Sequence, residues 1–146
     1  MARRFTLAEA QRLIPRLDRL LRDAILLKAK YEEAERTMRS FSERIMLMGG
    51  VVIDRDEAAK AKQRREDAAA HLRTAIEEIQ EVGCLIKDLD IGLVDFPTLF
   101  HGTEVYLCWR LGESQIEFWH GVDEGFRGRK PIDQDFMENH EGDRPS

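Results

Sequence analysis

The chain has 146 residues, about the size of one domain, and 35% of them are charged against 8% aromatic. Its formal net charge of -5 argues against a broad nucleic-acid-binding surface, because such surfaces are basic. No apolar run approaches the ~20 residues that a membrane helix needs, and the start of the chain lacks the apolar core of a signal peptide. We therefore expect a cytoplasmic protein with no membrane partner.

The first predicted helix begins at Thr6. Thr6 and Glu9 have the spacing of a capping box, in which each side chain bonds the backbone amide of the other residue. Pro15 removes one hydrogen bond within the helix and predicts a kink or break near Leu13. Alternating spacings of three and four residues predict coiled-coil packing along a seam of Ala10, Leu13, Leu17, Leu20, Ala24, Leu27, Tyr31, Ala34, Met38, Phe41, Ile45 and Met48.

A second helix is predicted after Gly49 and Gly50, which end the first one, and Asp54 with Glu57 has the spacing of its capping box. Small residues facing bulky ones let two helices pack closely, so residues 6–82 are predicted to form an antiparallel helical hairpin. Because helices of this length exceed what a small sheet can cover, we expect a homodimer that associates through the hairpin. The second seam ends at a Gly83 cap and consists of Ala58, Ala61, Arg65, Ala68, Leu72, Ala75, Ile79 and Val82.

After Gly83 the apolar period changes to near two, which predicts an antiparallel β-meander over residues 83–126. The predicted strands cover 84–87, 93–96, 104–111 and 115–120. The predicted fold class is therefore α+β, a long coiled-coil-like antiparallel hairpin followed by a small antiparallel sheet, in one domain over residues 1–132. Residues 133–146 are polar and acidic with few apolar anchors, so we expect a mobile tail.

Several strings of the predicted sheet resemble a known family. The string "GCLIKDLDIGLVDFP" is followed by "VYLCWRLGE", "WH" and "GFRGRKPI", and the resemblance extends from "FTLAEAQRLIPRL" to about Ile132. This combination is similar to bacterial proteins catalogued as domain of unknown function 2203, a family whose activity is uncharacterised. The resemblance implies motif positions and no chemistry, and it does not include Glu117. The matching positions are Lys87, Asp88, Gly92, Asp95, Pro97, Tyr106, Trp109, Arg110, Glu113, Trp119, His120 and Gly125.

Polar and aromatic residues of these strands are the candidates for a binding site or a polar network: Asp88, Asp95, Trp109, Arg110, Glu113, Trp119 and His120. An aromatic wall with converging arginine, histidine and aspartate side chains is typical of a pocket for a small-molecule ligand. The same residues, fully paired with one another, would instead specify the fold. Both interpretations stay open at this point.

A divalent metal is the cofactor that these residue types suggest. Imidazole and carboxylate groups suit a divalent ion, and His120 with Asp123 and an earlier aspartate could meet at an edge of the sheet. Glu117 and His120 have an E-x-x-H spacing, but on a strand their side chains face opposite sides. Cys84 and Cys108 lie in apolar runs and are predicted to be buried, reduced thiols rather than nucleophiles.

Three hypotheses about function follow from these features. The favoured hypothesis is a noncatalytic binding or interaction protein that associates through its hairpin. The alternative is a small metal-binding protein or enzyme with a site around His120, Arg110, Asp88 and Asp95. The basic first thirty residues allow a third hypothesis, nucleic-acid binding, which requires an affinity that falls steeply with salt.

Overall fold

A computed structural model describes residues 3–47 and 55–143. It confirms the α+β fold, in which two long helices pack together and are followed by a small antiparallel sheet. The chain divides into two compact units, Met1–Arg22 with Glu78–Ser146, termed the sheet unit, and Asp23–Glu77, termed the hairpin unit. None of the helices in the described part of the chain combines the length and apolar character needed to cross a membrane.

Helix α1 spans Leu7–Leu47 and continues through Pro15 without a break. The predicted capping box is confirmed, because the Thr6 amide donates to Glu9 Oε1 at 3.0 Å and the Glu9 amide donates to Thr6 Oγ1 at 3.1 Å. In the sheet unit the predicted seam is only partly right, since Leu13 and Leu20 are half-buried. This part of α1 presents a broad apolar stripe rather than a narrow coiled-coil seam, and its buried residues are Ala10, Ile14, Leu17 and Leu21.

Helix α2 spans Arg55–Val82 and ends at the predicted glycine. Gly83 has a positive φ of 103° and its amide donates to the Gln80 carbonyl at 2.9 Å, which is the usual form of a helix C-terminal cap. The predicted features at Met48, Gly49, Gly50 and Asp54 lie outside the described residues.

Within the hairpin unit, α1 and α2 run antiparallel. Leu27 and His71 line one groove between them, whereas Phe41 and Glu57 line another, so α1 residues further along the chain face α2 residues that come earlier. The fully buried residues of the unit's described part are both alanines, Ala24 and Ala61. The bulkier residues of the predicted seam are half-buried, namely Leu27, Tyr31, Met38 and Phe41.

In the described part of the sheet unit, six strands form one antiparallel sheet, and the first five are β1 (Leu85–Asp88), β2 (Leu93–Phe100), β3 (Thr103–Arg110), β4 (Phe118–Gly121) and β5 (Lys130–Pro131). These five form a meander in chain order, whereas the sixth strand pairs with β2. Pro97 lies inside β2, which is longer than predicted. The Pro97 carbonyl accepts from the Phe5 amide at 2.7 Å, and the nitrogen of a strand residue points to the same side as its carbonyl, so the missing N–H does not interrupt the β2–β3 ladder.

The C-terminal segment, which was predicted to be a mobile tail, carries two short elements in its described part. Helix α3 spans Gln134–Asn139, and β6 spans His140–Glu141 and pairs with β2. The side chain of Asp133 caps α3 by accepting from the Phe136 amide at 2.9 Å. Phe136 is fully buried, so one aromatic anchor attaches this polar segment to the sheet. The domain boundary at residue 132 stays a prediction.

The two faces of the sheet differ in character. One face, termed the core face, carries residues that are all buried: Val94, Phe96, Thr98, Val105, Leu107 and Trp109. The Phe96 ring meets the Phe5 ring edge-on at 5.2 Å. The opposite face, termed the polar face, carries Asp95, Tyr106, Cys108, Phe118 and His120, because the strand register sets Asp95 opposite Cys108 and Cys108 opposite Phe118.

Candidate functional site

The centre of the polar face is a buried pair formed by Asp95 of β2 and His120 of β4. Asp95 Oδ1 lies 2.9 Å from His120 Nε2, and the two residues are 1% and 3% exposed. His120 Nδ1 lies 2.8 Å from the Gly121 carbonyl oxygen. Because a carbonyl only accepts hydrogen bonds, Nδ1 must carry a hydrogen. The hydrogen bond between His120 Nε2 and Asp95 Oδ1 then needs one further proton, which the two atoms share.

Cys108 of β3 joins this pair from the strand between them. One potential ligand atom from each of Asp95, Cys108 and His120 lies within 4.8 Å of the other two. Burial raises the pKa of the Cys108 thiol to about 12, and the negative charge of Asp95 adds to the effect. The thiol is therefore protonated at neutral pH. We term these three residues the buried cluster.

One oxygen of the buried cluster is unsatisfied. Asp95 Oδ2 is buried and makes no hydrogen bond of standard geometry among the described residues, although the neighbouring Cys108 thiol interacts with the Asp95 carboxyl closely enough to contribute to the raised pKa of Cys108. Buried carboxylate oxygens nearly always have a partner, and an exception indicates a missing water, a missing ion or a chemical role. The cluster thus offers an imidazole, a thiol and a carboxylate oxygen with free lone pairs.

The residue types of a cysteine–histidine–aspartate catalytic triad are present, but their arrangement is different. In a triad one ring nitrogen contacts the nucleophile and the other contacts the carboxylate. Here the Gly121 carbonyl occupies Nδ1 and Asp95 occupies Nε2, so neither nitrogen is available to activate Cys108. With a thiol pKa near 12, this geometry argues against Cys108 as a nucleophile.

An ion pair borders the buried cluster. Arg129 Nη2 donates to Glu113 Oε2 at 2.6 Å, and the guanidinium lies 4.0 Å from the centre of the Phe118 ring. The positive charge of Arg129 acts to lower the pKa of Cys108, against burial and Asp95. Because Glu113 neutralises Arg129, the pair adds little net charge beside the cluster.

The two tryptophans are packing residues. Trp109 is fully buried on the core face, and its indole nitrogen donates to the Glu113 carbonyl at 3.1 Å. Trp119 stacks on Phe136 with ring centres 5.2 Å apart. The strand register places both indoles on the face opposite His120. They do not form an aromatic wall for the buried cluster.

The remaining predicted candidates lie elsewhere on the sheet unit. Asp88 accepts from the Asp90 amide at 3.0 Å and so stabilises the turn between β1 and β2. Arg110 is exposed, and its guanidinium lies 5.9 Å from the centre of the Phe126 ring. Asp123 is exposed and is not part of the metal-ligating group found in the described ranges. The structure thus brings together Asp95 and His120, without Asp88, Arg110 or Asp123.

Cys108 was predicted to be a buried structural thiol, and its position beside Asp95 was not predicted. The signal was in the turn between β2 and β3, where His101 and Gly102 have positive φ values of 50° and 78°. Two residues with positive φ are typical of the tightest hairpin turns, which fix the register of the strands. That register pairs Asp95 directly with Cys108. A two-residue hairpin turn predicted at His101 and Gly102 would have placed the two side chains together.

Comparison with known families matches most of the chain to one of them. Residues 3–132 match the family model described as an uncharacterized conserved protein, DUF2203. The chain belongs to this family. Comparison with curated proteins and with solved structures finds no match. The DUF2203 match includes all three residues of the buried cluster and stops before α3.

Proposed function

We propose that this chain is a noncatalytic binding protein that associates with a second copy of itself through the hairpin unit. The supporting observation is the shallow burial of the unit's bulky apolar residues. Tyr31, Met38 and Phe41 are half-buried, while Ile45 is 47% and Leu26 is 64% exposed. Two helices alone cannot cover an apolar stripe of this width, whereas four helices from two copies can.

A groove between α1 and α2 is the surface that would receive the second copy. It encloses about 440 Å³ and is lined by small or apolar residues together with charged ones: Leu27, Lys30, Glu33, Ala34, Thr37, Arg64, Asp67, Ala68 and His71. Small side chains such as Ala34 and Ala68 let helices approach closely. The charged residues at the same surface can fix the register between copies through pairs of opposite sign.

The charge of the hairpin unit favours a second copy over a strongly charged partner. The segment Asp23–Glu77 contains equal numbers of basic and acidic side chains, so the net charge of -5 comes from the rest of the chain. A two-fold dimer interface places the same surface on both partners. Because the surface has mixed signs and no net charge, two copies can meet without overall repulsion.

The test compares Ala68→Glu with Ala70→Glu in sedimentation equilibrium. Ala68 lines the groove, whereas Ala70 is exposed on the same helix, so both variants carry the same change in helix propensity. We expect dimers at micromolar concentration for the wild type and for Ala70→Glu, and a shift toward monomer for Ala68→Glu. Circular dichroism should show unchanged helix content in both variants. A wild type that stays monomeric throughout the micromolar range would contradict the proposal.

A further inference from the structure

We propose that the buried cluster is a binding site for a zinc-class divalent cation, with Asp95, Cys108 and His120 as its protein ligands. The three residues lie on adjacent strands, and the register fixes their positions: Asp95 pairs with Cys108, and Tyr106, two residues before Cys108, pairs with His120. Ligands carried by paired strands are held more firmly than ligands carried by loops. The site is independent of the dimer proposed above.

The spacing of the three side chains fits a tetrahedral ion. Bonds of about 2.0 Å to nitrogen and oxygen and about 2.3 Å to sulfur place neighbouring ligand atoms roughly 3.3 to 3.6 Å apart. Asp95 Oδ1 and His120 Nε2 are 2.9 Å apart, and all three ligand atoms lie within 4.8 Å of one another. Side-chain shifts of about 1 Å would therefore bring the three atoms into coordination.

His120 is already oriented as a ligand. Its Nδ1–H donates to the Gly121 carbonyl at 2.8 Å, which directs Nε2 toward the cluster. Histidines that bind a metal almost always donate their other ring hydrogen to a carbonyl or a carboxylate, and this contact fixes both the tautomer and the ring. The backbone of β4 thus provides the outer contact that a histidine ligand requires.

Asp95 provides an independent observation that points to a ligand. The residue is 1% exposed, yet its Oδ2 atom makes no hydrogen bond of standard geometry among the described residues. Leaving a buried charged oxygen unsatisfied is unfavourable. A cation bound between Asp95, Cys108 and His120 would satisfy that oxygen if Oδ2, alone or together with Oδ1, is the atom of Asp95 that coordinates it.

The charges of a loaded site would balance. On binding, Cys108 releases its thiol proton to solvent, and Asp95 and His120 release the proton that they share. A dication with one thiolate, one carboxylate and a neutral imidazole has no net charge, which suits a buried position. Arg129 and Glu113 beside the cluster already neutralise each other through their 2.6 Å contact.

The donor set selects the class of ion. Sulfur and nitrogen donors suit Zn²⁺ or Co²⁺, whereas Mg²⁺ and Ca²⁺ prefer oxygen donors. Three protein ligands would leave the fourth tetrahedral position to water or to an added ligand. We therefore infer a site that is open at one position.

The test uses Co²⁺ and the two cysteines of the chain. Full-length protein is stripped of metal and titrated with Co²⁺, whose sulfur-to-metal absorption band reports a thiolate ligand. Cys84→Ser is the matched control, because Cys84 is also buried, has a pKa raised to about 12 and lies outside the cluster. We expect the band in the wild type and in Cys84→Ser, with one ion per chain, and no band in Cys108→Ser. Asp95→Asn should weaken Co²⁺ binding by more than about tenfold.

Two further measurements make the outcome decisive. Because the cluster is buried, each protein is also refolded in the presence of Co²⁺ or Zn²⁺, so that slow entry of the ion cannot hide a site. If Cys108→Ser fails to fold, two other experiments test the same ligands. Asp95→Asn tests the carboxylate. Thiol labelling of Cys84→Ser, in which Cys108 is the remaining cysteine, tests the thiol, and we expect slower labelling in the presence of Zn²⁺. A wild type that shows no sulfur-to-metal band after refolding, or a band that is lost in Cys84→Ser and kept in Cys108→Ser, would overturn the proposal.

Discussion

The Gly121 carbonyl decides which chemistry His120 can perform. The carbonyl oxygen lies 2.8 Å from His120 Nδ1 and accepts its hydrogen, so this nitrogen cannot contact a nucleophile while Nε2 contacts the carboxylate, as a general base in a triad would require. The same contact leaves Nε2 directed at the buried cluster, where it can act as a metal ligand. One backbone atom therefore favours metal binding over acyl-transfer chemistry for the same three side chains.

The capping box at the start of α1 gives a prediction for single residues. The hydrogen bond from the Thr6 amide is the first cause of the lowered pKa of Glu9, so the box stabilises the ionised carboxylate. Thr6→Ala should lower the free energy of unfolding by about 1 kcal/mol, measured by urea denaturation at pH 7. Thr74→Ala is the control, because Thr74 is exposed within α2 and alanine is the better helix former. Equal losses in both variants would contradict this account.

Contacts between residues close in the sequence were predictable, and contacts between residues far apart in the sequence were not. Thr6 and Glu9 are three residues apart, so their spacing alone predicts the contact. Asp95 and Cys108 meet only because a turn sets the strand register, and His120 reaches Asp95 across a third strand. Composition and periodicity carry no direct signal for such contacts, which is why His120 was predicted with Asp123 and without Cys108.

The C-terminal segment shows what one short element contributes to the sheet unit. Phe136 of α3 stacks on Trp119 and lies 4.8 Å from the Phe100 ring. His140 of β6 accepts from the Leu7 amide at 2.9 Å and so satisfies a free amide at the start of α1. The segment therefore connects the beginning of the chain to the sheet.

Removal of the Phe136 ring tests this element. Phe136→Ala should lower the free energy of unfolding by about 3 to 5 kcal/mol, the usual cost of truncating a fully buried aromatic residue. The neighbouring Met137 is 51% exposed, so Met137→Ala should change stability by less than about 0.5 kcal/mol. Chemical denaturation followed by tryptophan fluorescence measures both variants. A small loss in Phe136→Ala would mean that the segment contributes little to the stability of the sheet unit.

Helices and strands were easier to predict than this segment. The seams of α1 and α2 repeat over many residues, and the change to a period of two after Gly83 is sustained through β3. In contrast, α3 and β6 together span eight residues and depend on one buried aromatic side chain. The average composition of the acidic tail is polar, so it does not predict that a single aromatic side chain will be buried.

At the scale of the whole molecule, the two units bury their apolar residues to different depths. The α1 stripe of the sheet unit includes Leu17 and Leu21, which are fully buried, whereas the α1 seam of the hairpin unit is half-buried beyond Ala24. Shallow burial predicts low local stability. A single long helix thus passes through two environments.

Hydrogen exchange along α1 should show this difference. In dilute protein, amides of 26–47 should exchange faster than those of 10–22, because fewer buried apolar side chains must separate for local opening. Raising the protein concentration should slow exchange in 26–47, since association through the hairpin unit protects it. Uniform exchange along α1 at every concentration would contradict both the difference in stability and the proposed dimer.

Because of the two-residue turn at His101 and Gly102, the buried cluster depends on the number of residues between β2 and β3 as well as on the identity of its three residues. Adding one residue that shifts β3 by a single position would turn Cys108 to the core face and bring Trp109 to the polar face. Asp95, Cys108 and His120 would all still be present, yet the proposed ligand set would be lost. For a related sequence, keeping the three residue types is therefore not sufficient; the eight-residue strands β2 and β3 must also be joined at the same distance.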